Sequence, residues 1–164
     1  LPLARVPVEL DAARVSMACR WAADMASRLG AARPRIVVAG LNPHAGEGGL
    51  LGDEERTVIT PGIARARRSL ARRGMSCQLV GPVGAETAFR EAAAGRYDAV
   101  IAMYHDQATI PCKLLGFGEA VNVSLGLPIV RTSVDHGTAY DIASTGRASP
   151  AGMLAAMKLA LRLV

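Results

Sequence analysis

The stretch Ile36-Val37-Val38-Ala39-Gly40-Leu41-Asn42-Pro43-His44-Ala45-Gly46-Glu47-Gly48-Gly49 decides the fold. It opens with a short β-branched run and no polar alternation, which predicts a strand buried on both faces. It then passes directly into a glycine-rich loop that extends from Asn42 to Gly52. Working outward, Ala12 to Leu29 carries Val15, Cys19, Ala22, Ala26 and Leu29 at spacings of three to four, an amphipathic helix stopped at Gly30. Downstream, a helix is expected from Thr60 to Arg73, closed by Gly74, and a strand from Cys77 to Val80, closed by Gly81-Pro82. Glu86 to Ala94 reads as helix and Ala99 to Met103 as a buried strand. Val121 to Leu125 and Ile129 to Ser133 are further strands, and Pro150 opens a last helix. Strands alternating with helices define an α/β fold with a mostly parallel sheet flanked by helices. Without repeats or linkers, residues 1–164 read as a single α/β unit.

Composition narrows the function classes. The chain has 164 residues, 51% hydrophobic and 20% charged, enough for one core and too apolar for disorder. Three cysteines without paired spacing exclude a disulfide scaffold and point to a reducing, cytoplasmic setting. No apolar run reaches the roughly 18 residues of a membrane span, and no signal peptide is visible. The net charge is +5, carried almost wholly by Arg. With aromatics at 4%, no nucleic-acid partner is expected. The densest basic stretch, Arg65, Arg67, Arg68, Arg72 and Arg73, reads as a solvated helix face. The chain begins with Leu1, which suggests a fragment or a processed product.

The three histidines carry the functional reading. His44 follows the first predicted strand, His105 follows Ala99–Met103, and His136 follows Ile129–Ser133. Ligands of open α/β sheets bind at the carboxyl ends of strands, so all three are site candidates. The competing reading is that loops simply carry polar residues. Asp106 and Asp135 adjoin two of the imidazoles, and a carboxylate beside an imidazole fixes its tautomer or shares a cation with it. Spacing alone gives a divalent-metal or acid–base site, with His136 a third ligand and no reaction attached. Gly46-Glu47-Gly48-Gly49 offers backbone amides to an anion but matches neither nucleotide fingerprint. Lys113 stands out in a chain that uses Arg almost everywhere, and reads as a point charge, a tunable amine or a surface residue. Arg131 reads as an ion-pair partner or an anion clamp.

Four segments in order carry a family resemblance. They are Gly40-Leu41-Asn42-Pro43-His44-Ala45-Gly46-Glu47-Gly48, Ala102-Met103-Tyr104-His105-Asp106-Gln107, Val121-Asn122-Val123-Ser124-Leu125-Gly126-Leu127-Pro128 and Arg131-Thr132-Ser133-Val134-Asp135-His136-Gly137-Thr138. Together they resemble the 4-hydroxythreonine-4-phosphate dehydrogenase (PdxA) family of vitamin B6 biosynthesis. Members are about twice this length, so the chain resembles their C-terminal half. The resemblance implies an isopropylmalate-dehydrogenase-like fold and NAD(P)-dependent oxidation of 4-phosphooxy-L-threonine at C3. Decarboxylation to 3-amino-2-oxopropyl phosphate follows.

The same resemblance implies roles for single residues. His44 and His105 become ligands of a divalent metal (Zn, Mg, Co or Mn). Lys113, Asn122 and Arg131 become contacts for a small phosphorylated substrate. Lys113 and Asp106 are the catalytic candidates. His136-Gly137-Thr138-Ala139-Tyr140-Asp141-Ile142-Ala143 is similar to an adenosine-binding loop, which moves His136 from the metal to the cofactor and adds Asp141. An acidic residue near the ribose favours NAD over NADP. The resemblance also implies a homodimer with a shared active site.

In the family a third metal histidine precedes a Leu-Pro-Leu, and this chain starts Leu1-Pro2-Leu3. The expectation is therefore poor metal binding and no activity by the 164-residue chain alone. Glu86, Ala108 and Leu50-Leu51 depart from the family's usual residues and leave room for a paralogue. That paralogue would be a dehydrogenase of a phosphorylated four-carbon acid or of an aromatic dihydrodiol. A non-catalytic metal- or phosphate-binding module is the reading from another class.

Overall fold

The structure is a computed structural model that describes residues 1–116 and 119–164. Its elements are α1 (Val6–Glu9), α2 (Ala12–Arg28), β1 (Arg35–Ala39), α3 (Thr60–Arg72), β2 (Gln78–Val83), α4 (Ala85–Ala93), β3 (Ala99–Ile101), α5 (His105–Leu115), β4 (Val121–Ser124), β5 (Arg131–Val134) and α6 (Ala151–Leu163). The fold is α/β with a parallel sheet flanked by helices, as the sequence predicts.

The sequence suggests one unit over 1–164. The chain instead divides into two compact units, Leu1–Thr109 and Ile110–Val164. The physical reason is that the strands do not form one sheet. In the first unit β1 lies between β2 and β3, all parallel, with Ile36 opposite both Leu79 and Ala99. In the second unit β4 and β5 form a separate antiparallel ribbon.

Strand β1 is the centre of the first unit, and its two faces build two cores. Ile36 and Val38 pack with Val15, Cys19 and Ala23 of α2 and Ile63, Ala66 and Leu70 of α3. Val37 and Ala39 face the other way and pack with Ala88 of α4. This is why the run lacks polar alternation: neither face meets water. Asp11 caps α2, accepting from the N–H groups of Ala13 (2.7 Å) and Arg14 (2.8 Å). Helices α2 and α3 approach closely at Gly62, where a Cβ would lie 2.7 Å from Val15 Cβ. At the entrance to the sheet, Arg35 Nη2 meets Asp98 Oδ1 at 2.8 Å, and the Arg35 N–H donates to Asp98 Oδ2 at 2.8 Å.

In the second unit the residue pairs Asn122↔Ser133 and Ser124↔Arg131 share one face of the ribbon. The opposite face carries Thr132, whose hydroxyl donates to the Ala156 carbonyl of α6 at 3.0 Å. Among the described residues, no helix is long and apolar enough to cross a membrane.

Several elements differ from the sequence reading: α1 was not expected, and β2 runs through Gly81-Pro82 to Val83 instead of closing at Val80. Helix α5 was not expected, and the strand expected at Ile129–Ser133 runs from Arg131 to Val134. Pro111 inside α5 and a weak apolar stripe hide the helix from periodicity.

Candidate functional site

The first unit presents two imidazoles at neighbouring strand ends. β1 and β3 are adjacent and parallel, so the segments leaving their carboxyl ends emerge on the same edge of the sheet. His44 lies five residues beyond β1 and His105 opens α5, four residues beyond β3. Both are exposed.

His44 sits in a turn of unusual hand. From His44 to Gly48 every residue lies in the left-handed region: His44 (φ 51°), Ala45 (φ 52°), Gly46 (φ 81°), Glu47 (φ 44°) and Gly48 (φ 69°). Three of these carry a Cβ, and each such residue costs roughly 1–2 kcal/mol there. The surrounding bonds hold the turn in place. Glu55, only 6% exposed, accepts from the N–H groups of Leu41 (2.7 Å) and Asn42 (2.8 Å) through Oε1, and from Asn42 Nδ2 (2.9 Å) through Oε2. Glu54 Oε2 accepts from Asn42 Nδ2 (2.7 Å) and from the Asp53 N–H (3.0 Å). The Asn42 amide and local backbone N–H groups hold the Glu54 carboxyl below the ordinary carboxylate range. Glu55 begins a short π-helical turn, Glu55–Ile59, that leads into α3. The sequence reading did not single out Glu55. Its signal is an acidic residue directly after a glycine-rich loop, three residues past Gly52.

His105 is oriented by its neighbour. Its Nδ1 lies 2.6 Å from Asp106 Oδ1. A carboxylate at Nδ1 orients the ring, an arrangement common behind metal-binding imidazoles. Asp106 is thus seen as an orienting partner of His105. A cavity of about 380 Å³ adjoins it, lined by Glu9, Arg14, Met103, Tyr104 and His105 among others.

These residues fit a divalent cation as a partial donor set. Two imidazoles leave one sheet edge, and one is primed by a carboxylate. Among the described residues, no group of three or more His, Cys, Asp or Glu side chains gathers as a metal site. The third ligand that spacing alone assigned to His136 is not beside them on this sheet. β5, which precedes His136, belongs to the antiparallel ribbon of the second unit, so His136 does not leave the edge that carries His44 and His105.

The second unit holds the remaining candidates. A cavity of about 560 Å³ is lined by Lys113, Asp135, His136, Thr138, Ser144 and Ser149 among others. His136 Nδ1 lies 3.0 Å from the Gly137 carbonyl, which fixes the ring against the loop backbone. Asp141 lies in the short 3-10 helix Tyr140–Ile142; its neighbour Ile142 lines the cavity, and Asp141 itself is exposed outside the lining. Asn122 and Arg131 share the exposed face of the ribbon, and Arg131 Nη1 donates to Ser124 Oγ at 2.7 Å. That bond makes Arg131 a tethered cation on the ribbon; no carboxylate partner is seen for it among the described residues.

The first unit is a parallel α/β core with two histidines beyond its strand ends, and the second unit holds a cavity of its own, the architecture of an α/β protein with candidate ligand sites. The chain belongs to the family described as pyridoxal phosphate biosynthetic protein PdxA, whose pattern matches residues 1–160. It is 53% identical over its whole length to a 4-hydroxythreonine-4-phosphate dehydrogenase of Aromatoleum aromaticum, covering 49% of that protein. It is 51% identical over 94% of its length to a D-threonate 4-phosphate dehydrogenase of Salmonella typhimurium, covering 45% of that protein. Among solved structures, it superposes on a 4-hydroxythreonine-4-phosphate dehydrogenase of Klebsiella pneumoniae with a TM-score of 0.83 at 44% identity. That match covers 99% of this chain and 47% of the other. The chain spans about half the length of the relatives it matches.

Proposed function

We propose that the chain is the C-terminal portion of a metal-dependent NAD(P) dehydrogenase acting on 4-phosphooxy-L-threonine at C3 in pyridoxal phosphate biosynthesis. The observation that carries this reading is the placement of His44 and His105 beyond the ends of adjacent parallel strands, with Asp106 on the Nδ1 side of His105. Each unit contributes its own part.

In the first unit His44 and His105 would hold the divalent cation (Zn, Mg, Co or Mn), and Asp106 would orient the His105 ring through Nδ1. A cation held there would supply Lewis-acid activation of the substrate alcohol, and a nicotinamide would supply the hydride acceptor. In the second unit Lys113 Nζ and the Arg131 guanidinium supply positive charge to the anionic ends of the substrate, and the Asn122 carboxamide supplies a neutral hydrogen bond. The cationic pair also suits the carboxylate, whose loss as CO2 follows once C3 is a ketone. His136 and Asp141 serve the cofactor's adenosine end, with Asp141 favouring NAD by repelling a 2′-phosphate. The functional protein is a cytoplasmic homodimer with a shared active site. The exposed apolar residues Met153, Leu154, Met157 and Leu161 of α6 support a second copy as partner.

The test is reduction of NAD+ or NADP+ by the full-length protein that contains this chain, with each divalent metal, on 4-phosphooxy-L-threonine. Turnover that depends on metal and disappears in His105→Ala is expected. Metal-independent turnover, or full activity in His105→Ala, would defeat the reading. A second reading, oxidation of D-threonate 4-phosphate, is favoured by the 51% identity to the Salmonella enzyme. Preference for either substrate by about tenfold or more in kcat/KM separates the two.

A further inference from the structure

Gln107 is neither ligand, acid nor base, yet its carboxamide joins the two histidine-bearing segments. We propose that Gln107 is a positioning residue that sets the spacing between the His44 turn and the start of the His105 helix. The proposal deepens the preceding reading and rests on His44 and His105 serving one ligand.

The backbone ladder between β1 and β3 ends at Val38↔Ile101, before either histidine segment begins. Beyond that point Gln107 takes over. Its Oε1 accepts from the Met103 N–H at 2.7 Å, and its Nε2 donates to the Gly40 carbonyl at 2.8 Å. Both bonds are partly buried, so neither is readily replaced by water. The first resembles the back-reaching bond of a capping-box glutamine and needs only an acceptor. The second needs a donor and reaches the segment that leaves β1.

Gly40 is the point where this tie acts on His44. Its N–H donates to the Val83 carbonyl at 2.7 Å, so the Gly40 peptide groups are gripped from β2 on one side and from α5 on the other. The turn then folds back onto Gly40: a Cβ there would lie 2.9 Å from Ala45 Cα and 3.0 Å from Glu55 Oε1. A shift of Gly40 is therefore passed to Ala45, next to His44. At the other end, Gln107 lies two residues after His105 on the first turn of α5. A carboxamide supplies the donor and the acceptor together, whereas an ionised carboxylate supplies acceptors alone and a thioether neither of useful strength.

The test compares Gln107→Glu and Gln107→Met with the unaltered sequence in the full-length protein that contains this chain. Gln107→Glu keeps the acceptor for Met103 and loses the donor to Gly40. Gln107→Met fills the same space and loses both. Two readouts are taken: the imidazole 15N signals of His44 and His105 without metal, and Co2+ affinity from its visible absorption. Both variants are expected to move both imidazole signals and to weaken Co2+ binding by about 10- to 100-fold, the usual effect of losing a group that orients ligands. If Gln107→Glu keeps the original signals and affinity, Gln107 only caps α5 and the proposal fails. Should Gln107→Met not fold, Gln107→Glu decides alone. Unchanged Co2+ affinity in His44→Ala would instead overturn the metal reading, and the metal-free imidazole signals would still decide the role of Gln107.

Discussion

The carboxylate of Glu55 accepts the backbone N–H of Asn42 at 2.8 Å, thirteen residues back along the chain. With the Leu41 N–H at 2.7 Å and Asn42 Nδ2 at 2.9 Å, it answers the donors that a chain leaving a sheet would otherwise strand. With Glu54 on the Asn42 carboxamide, this buried side chain holds the strained turn that presents His44.

Glu55→Ala is expected to destabilise the first unit by about 2–4 kcal/mol, because stranded buried donors cost roughly 1–3 kcal/mol each. Glu55→Gln keeps an acceptor for the two backbone N–H groups and is expected to lose about half as much. Urea denaturation measures both, and amide exchange at Leu41 and Asn42 locates the effect.

Two glycines in the same turn separate strain from crowding. Gly46 and Gly48 both lie at positive φ, 81° and 69°. A Cβ on Gly46 would lie 2.7 Å from Glu55 Oε2 and 2.9 Å from the Gly52 carbonyl, whereas a Cβ on Gly48 would meet nothing within 4 Å. Gly48→Ala should therefore cost only the backbone term, about 1–2 kcal/mol. Gly46→Ala should cost a further 1–3 kcal/mol or so for overpacking. Equal unfolding midpoints for the two variants would contradict the packing described for Glu55.

The Arg35–Asp98 pair makes stability pH-dependent. The Arg35 guanidinium and the Arg35 backbone N–H hold the Asp98 carboxyl below its ordinary value of 3.8. A depressed folded value stabilises above the ordinary value and is lost as pH falls through the depressed one. Asp98→Asn should lower the thermal midpoint slightly at neutral pH, the pair being partly exposed. The gap to the unaltered chain should close in acid, below about pH 4. A gap that widens in acid would reverse the sign.

The three thiols should react in order of exposure. Cys112 is exposed, Cys77 half-buried and Cys19 buried. Burial pushes the Cys19 thiol up to about 12 and raises Cys77 less far. The thiolate is the nucleophile, so a disulfide reagent at neutral pH should consume one thiol quickly. Cys112→Ser should remove that fast phase.

The parts of the fold that were readable in the sequence are those with a clear period or a clear stop. Ile36–Ala39 announces a doubly covered strand, and the spacing of Val15, Cys19 and Ala26 announces α2, which buries those residues. Helix α5 was not readable, because Pro111 breaks the pattern that its tertiary setting then overrides. The separation of β4 and β5 into their own ribbon was also hidden, since strand pairing is a long-range property that local pattern does not encode. For the site, His44, His105 and Asp106 were marked by position after strands. Glu55 and Gln107 were not, because their importance lies in backbone groups they reach rather than in any chemistry of their own.

The reversed hand of the His44 turn has a consequence for chemical synthesis. At Ala45, φ 52° and ψ 42° are the mirror image of the ordinary helical angles. A D-alanine installed there would sit in its own favoured basin and relieve roughly 1–2 kcal/mol that the natural enantiomer carries. A polypeptide built by ligation with one inverted stereocentre should thus outlast the ribosomal product.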